Sequence, residues 1–100
     1  MYVQTKLPWP LLSEYLYALA PATRGVMRSR LRAMAAVLGD DYEDVPWHEL
    51  TAERMDRIRG DLLAGGTRPG TVNVGLAALR GLARTAYDLR MIEYDQYHAI

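Results

Sequence analysis

Residues 66–90 read GTRPGTVNVGLAALRGLARTAYDLR, and this stretch decides the fold. Val72, Leu76, Leu79, Leu82, Ala83, Ala86 and Leu89 fall on one broad face when residues are placed about 100° apart, the turn of an α-helix. Gly66 to Thr71 form the turn that launches the helix, with Pro69 near its start, where no backbone N–H is needed. A helix from Pro69 to Arg90 would be roughly 30 Å long at about 1.5 Å per residue. Gly75 and Gly81 each weaken such a helix by of order 1 kcal/mol. Gly75 lies beside the apolar face, where it permits close packing of another helix. Gly81 points away from that face, and the expectation is that something outside the protein approaches it closely.

Working outward, helix signals continue and strand alternation is nearly absent. Gly65-Gly66 stops a preceding helix whose stripe is Met55, Ile58 and Leu62, with Thr51 as N-cap and Glu53 favouring the dipole. Before it lie an acidic loop, Asp40 to Asp44, and Trp47, expected to fold back onto the core. Met27, Leu31, Met34 and Leu38 mark a helix from about Thr23 to Leu38, ended by Gly39. Leu12, Tyr15, Leu16 and Leu19 mark another from about Pro10 to Leu19, with Pro21 as its stop. Tyr94 to Ile100 begins a short fifth helix that needs a neighbour. The expected fold is all-α, a small bundle of four main helices in one domain spanning 1–100.

Composition narrows the function classes. Half the chain is apolar, with no cysteine, which excludes disulfides and thiolate metal sites and suits a reducing, cytoplasmic location. Uncharged runs such as Tyr15 to Thr23 fall short of the roughly 18 apolar residues of a membrane span, so no membrane partner is expected. A leader-like pattern from Lys6 to Ala22 is interrupted by Pro8, Pro10 and Glu14, against a secretory signal. His48 and His98, the two histidines, share no metal-ligand spacing, and neither cofactor nor metal is expected. The seven tyrosines have no arranged arginine and histidine partners, and no catalytic residue is assigned. Tyr15, Tyr17 and Tyr87 read as packing residues.

The formal net charge is zero, yet the charge is zoned. Residues 22–38 hold Arg24, Arg28, Arg30 and Arg32 and no acid; residues 66–91 hold Arg68, Arg80, Arg84 and Arg90 against Asp88. Between them, residues 40–61 are acidic. On the long helix the side away from the core carries Gly70, Asn73, Ala77, Gly81, Arg84 and Asp88, with Arg80 at its edge. On the second helix the side away from Met27, Leu31 and Leu38 carries Gly25, Arg28, Ser29, Arg32 and Ala36. Small residues let a helix approach DNA, and Arg, Asn, Thr and Ser reach phosphates and base edges. The nucleic-acid reading expects both surfaces on one side of the bundle, where one duplex touches both.

Thr23-Arg24, then Trp47-His48-Glu49-Leu50-Thr51, then the run from Gly65 to Asn73 and Leu76 to Tyr87, together resemble the core-binding domain of tyrosine recombinases and phage-type integrases. That resemblance covers about Pro10 to Ile100 and implies a SAM-like helical bundle. It implies double-stranded DNA as partner, clamped at a recombination half-site opposite a catalytic domain of the same parent chain. By position it implies contacts from Thr23, Arg24, Met27 and Arg28 on the second helix and from Arg68, Thr71, Asn73 and Arg80 on the long one. The helical-face reading adds Arg32 and Arg84, and places Met27 in the core, so Met27 is not taken as a site. The family's glycine at the end of the long helix is missing; Leu89-Arg90-Met91-Ile92 stands there. The family's catalytic arginines, His-x-x-Arg motif and tyrosine nucleophile have no match, and this chain is expected to be catalytically silent. The alternative is a helical protein-interaction or oligomerisation module, to which the neutral charge, the acidic loop and the apolar tail around Tyr97 and Ile100 point.

Overall fold

The computed structural model describes residues 8–100, with side chains from residue 11 onward. Lys6, the charged start of the leader-like run, lies outside the described residues. Five α-helices and one 3₁₀ turn follow in order: α1 (Pro8–Tyr17), α2 (Pro21–Leu38), the turn Trp47–Glu49, α3 (Ala52–Ala64), α4 (Pro69–Asp88) and α5 (Tyr94–Ala99). There is no strand among the described residues. No helix of the described residues is long and apolar enough to cross a membrane.

Helix α4 is the central element and packs against all the others. Its buried residues are Val72, Gly75, Leu76, Ala78, Leu79, Leu82, Ala83 and Ala86. Of these, Val72, Leu76, Ala78, Leu79, Leu82 and Ala86 join Leu11, Leu12, Tyr15 and Leu16 of α1, Leu31, Met34 and Ala35 of α2, and Met55 and Ile58 of α3 in one continuous apolar cluster. Fully burying a leucine- or isoleucine-sized side chain contributes about 1.5–3 kcal/mol, which makes this cluster the main source of stability. No buried polar or charged residue interrupts it among the described residues. Met27 is partly buried against the same cluster, as the helical-face reading has it. Trp47 is 2 % exposed and donates its indole N–H to the Tyr42 carbonyl at 3.0 Å, which ties the acidic loop to the core.

Helix ends explain most departures from the expected boundaries. Pro21 does not close α1; it opens α2 as a first-turn residue. Its ring disfavours helical geometry in the preceding residue, and Ala20 is extended, so α1 ends earlier, at Tyr17. Gly39 and Gly66 take left-handed backbone at φ 80° and 93°. Each carries the paired hydrogen bonds of a Schellman cap: Asp40 N–H to the Ala35 carbonyl, and Thr67 N–H to the Leu62 carbonyl. Helix α4 ends in the same cap without glycine. Arg90 adopts φ 62°, and Met91 N–H donates to the Ala86 carbonyl at 2.8 Å. This cap stops α4 at Asp88 instead of Arg90 and leaves Leu89 42 % exposed instead of on the core face.

Gly75 and Gly81 of α4 serve the interior. A Cβ on Gly75 would collide with the Met34 side chain, as expected of a close-packing site. A Cβ on Gly81 would collide with the Tyr15 ring of α1. The expectation that an outside partner explains Gly81 is therefore corrected: α1 crosses α4 there. Tyr15 is 6 % exposed, and burial pushes its phenol above the ordinary value of 10.0. Tyr17 departs from its packing assignment, being 67 % exposed beneath the Arg24 guanidinium.

Candidate nucleic-acid interface

Helix α2 lies between α1 on one flank and α4 on the other, and this divides the surface expected to be continuous. Gly25, Val26, Ser29 and Arg30 of α2 line an open groove with Thr71 and Val74 of α4. Arg28 and Arg32 turn to the opposite flank, into a groove shared with α1 and the acidic loop, where Tyr42 and Glu43 form the far wall. Asn73 and Arg80 line a third groove, between α3, α4 and the end of α5. Of the expected residues, Arg28, Arg32, Thr71, Asn73 and Arg80 are thus divided among three grooves, Thr23, Arg24, Arg68 and Arg84 line none of them, and the two arginine-bearing surfaces do not merge into one.

The α2–α4 groove mixes small, apolar and polar residues. Val26 and Val74 are 54 % and 37 % exposed. Gly25 sits well inside α2, and an added Cβ there would meet nothing within 4 Å. Glycine in a helix interior costs about 1 kcal/mol relative to alanine, and here no interior neighbour accounts for it. The exposed strip of α4 continues from Val74 over Gly70 and Ala77 to Asn73. Ser29, Arg30 and Thr71 supply hydroxyl and guanidinium donors along it.

Helix termini add to this. Both α2 and α4 begin with proline in the first turn, have no side-chain cap and no acidic residue in the first turn. Their leading N–H groups and positive dipole ends are not neutralised by a carboxylate, a setting that favours anions. Helix α3 is the contrast: Thr51 caps it, its Oγ1 accepting from Arg54 N–H at 3.2 Å, and Glu53 fills its first turn. Arg68 is the residue flanking the start of α4 and is exposed; Thr23, also exposed, is in the first turn of α2.

Arg24 is engaged within the fold. Its Nε donates to the Leu16 carbonyl at 2.9 Å and its Nη2 to the Leu19 carbonyl at 3.0 Å, closing the end of α1. Its Cζ lies 4.5 Å from the Tyr17 ring centroid. Arg84 is exposed and pairs with Asp88 at 3.6 Å, a surface pair worth little. Arg30 is the groove residue missed by the sequence reading of the site. Its signal was Val26 one turn earlier, an apolar residue off the core stripe that marks an open flank.

At the other end of the molecule, Tyr87, Tyr94 and Tyr97 form an aromatic cluster, with Tyr87 and Tyr97 stacked at 5.1 Å and Tyr94 stacked on His98 at 5.3 Å. Gln96 Nε2 donates to the His48 carbonyl at 2.8 Å and fixes α5 beside the 3₁₀ turn. No group of three or more candidate metal ligands is found among the described residues. No family model, curated protein or solved structure matches this chain.

Proposed function

We propose that this chain is a DNA-binding module, the SAM-like core-binding domain of a site-specific tyrosine recombinase, that grips duplex DNA through the α2–α4 groove. The observation that carries the reading is the meeting of Gly25, Ser29 and Arg30 with Thr71 across that groove. A helix glycine with open space above it, one guanidinium and two hydroxyls along the groove, and acid-free helix starts support a close, polyanionic partner. Thr23, Arg68, Thr71 and Arg30 contact phosphates in this reading, and Asn73 and Arg84 on the outward α4 strip lie along the duplex path. Arg28 and Arg32 are not part of this duplex face, and Arg24 contributes through the shape of the α1–α2 joint.

Fluorescence anisotropy with a labelled duplex over a salt series tests this. Binding at physiological salt should fall at roughly 10⁻⁴ to 10⁻⁶ M if it is mainly non-specific, and weaken steeply with salt. Replacing Arg30 and Arg68 by glutamine should flatten the salt slope by about one unit per lost phosphate contact. Amide shifts confined to the acidic residues 40–56, with α2 and α4 unmoved, would defeat the placement.

A second reading, a helical interaction module, is favoured by the half-exposed tyrosines of α5. Light scattering separates the two: a stable oligomer indifferent to DNA, and dispersed by Tyr94→Ala, supports the second.

A further inference from the structure

The groove between α1, α2 and the acidic loop is left without a role by the duplex reading. It encloses about 220 Å³ above the buried Leu12 and Leu16. Arg28 and Arg32 stand one helical turn apart on its α2 wall, a spacing at which like charges repel. Among the described residues the ion pairs are His48–Glu49 and Arg84–Asp88, so neither guanidinium is matched there by a carboxylate. Arginine side-chain hydrogen bonds among the described residues belong to Arg24 and Arg30. Among the described residues the N–H donors of Arg28 and Arg32 have no protein acceptor and face solvent.

The groove is also held in shape by parts that need no ligand. The buried Trp47 indole fixes the Tyr42 carbonyl, and the Tyr42 ring lies 5.1 Å from the Arg32 Cζ. Stacking of this kind restrains a guanidinium while leaving its N–H fork available. Ser13 on the α1 wall adds a hydroxyl. Two planar forks with no carboxylate partner among the described residues, and a hydroxyl beside them, suit a doubly charged tetrahedral oxyanion, which accepts bidentate hydrogen bonds from arginine.

We propose that this groove binds a phosphate dianion, free or as the monoester end of a small molecule, between Arg28 and Arg32. Glu43, also on its wall, opposes the anion and weakens its binding. The site is separate from the duplex face and does not depend on it.

Titration with inorganic phosphate, followed by the arginine Nε–Hε signals in ¹⁵N spectra, tests the proposal. The Arg28 and Arg32 signals should move and saturate. Arg28→Gln and Arg32→Gln should each weaken binding about tenfold, the scale of one charge-assisted hydrogen bond. Glu43→Gln should tighten it, a gain that a folding defect cannot produce, and Arg57→Gln on α3 should leave it unchanged. Adenosine monophosphate binding more tightly than phosphate would assign the site to a nucleotide held against Tyr17 or Tyr42; equal binding would assign it to free phosphate. Uniform movement of all arginine signals, or unchanged affinity in both glutamine variants, overturns the proposal. So does displacement of phosphate by duplex DNA together with lost duplex affinity in Arg28→Gln, which would return the groove to the duplex face. A duplex that fails to bind while phosphate still saturates this groove counts against the nucleic-acid reading alone.

Discussion

At Arg90 a side chain occupies backbone that glycine fills at the other two Schellman caps. Left-handed backbone costs a non-glycine residue roughly 1–2 kcal/mol, offset in part by a positive charge at the negative end of the α4 dipole. Arg90→Gly should therefore raise stability by about 1 kcal/mol, read as a higher midpoint in urea at unchanged slope. Glycines 25 and 81 give opposed expectations. Gly25→Ala should stabilise the fold by about 0.5–1 kcal/mol and at the same time weaken duplex binding, because the added methyl stands in the groove. Gly81→Ala should destabilise it by about 1–3 kcal/mol through collision with Tyr15. Thermal melts of both variants beside their anisotropy titrations check the pair. The contrast shows what one chain of letters withholds. Both glycines sit off a helix's apolar stripe, and only the crossing of α1 over α4 tells which is spoken for.

At the scale of elements, the apolar stripes of α2, α3 and α4 were readable because burial follows helical period, and the Thr51 cap and Gly39 stop because their chemistry is local. Pro21 was ambiguous because proline both ends one helix and starts the next, and its role depends on the length of the joint. The division of the α2 surface was not readable. It depends on which flank α1 takes, and that is decided by tertiary packing, as is the inward use of Arg24. Helix α5 shows how little fixes a terminal element: none of its residues is buried, and Gln96 supplies its polar tie to the body. Gln96→Ala should cost about 1 kcal/mol and release α5 locally. Hydrogen exchange should then show lost protection over residues 94–100 with α4 unchanged.

For the molecule as a whole, one apolar cluster spans α1 through α4 and the 3₁₀ turn, so no part of the bundle has a core of its own. Unfolding should be a single transition, with far-ultraviolet dichroism and near-ultraviolet aromatic signals coinciding. Stability should lie near the low end of the usual range, about 5 kcal/mol for a chain of this length. Two separated transitions would show that α5 or the loop segment is a distinct unit. The charge zones come to lie on this single body as arginine-bearing grooves on both flanks of α2, with the acidic loop beside one of them. A neutral net charge is in this case the sum of two opposed local fields, and the groove, not the sum, is what a charged partner meets.

The seating of Met34 over Gly75 makes those two positions a single unit of variation. A methyl at 75 has room only once the flexible end of Met34 swings aside or is shortened, and a shortened residue at 34 leaves a void unless 75 grows. If the thioether cannot swing aside in the packed core, laboratory selection for restored folding in Gly75→Ala should recover its second change at position 34.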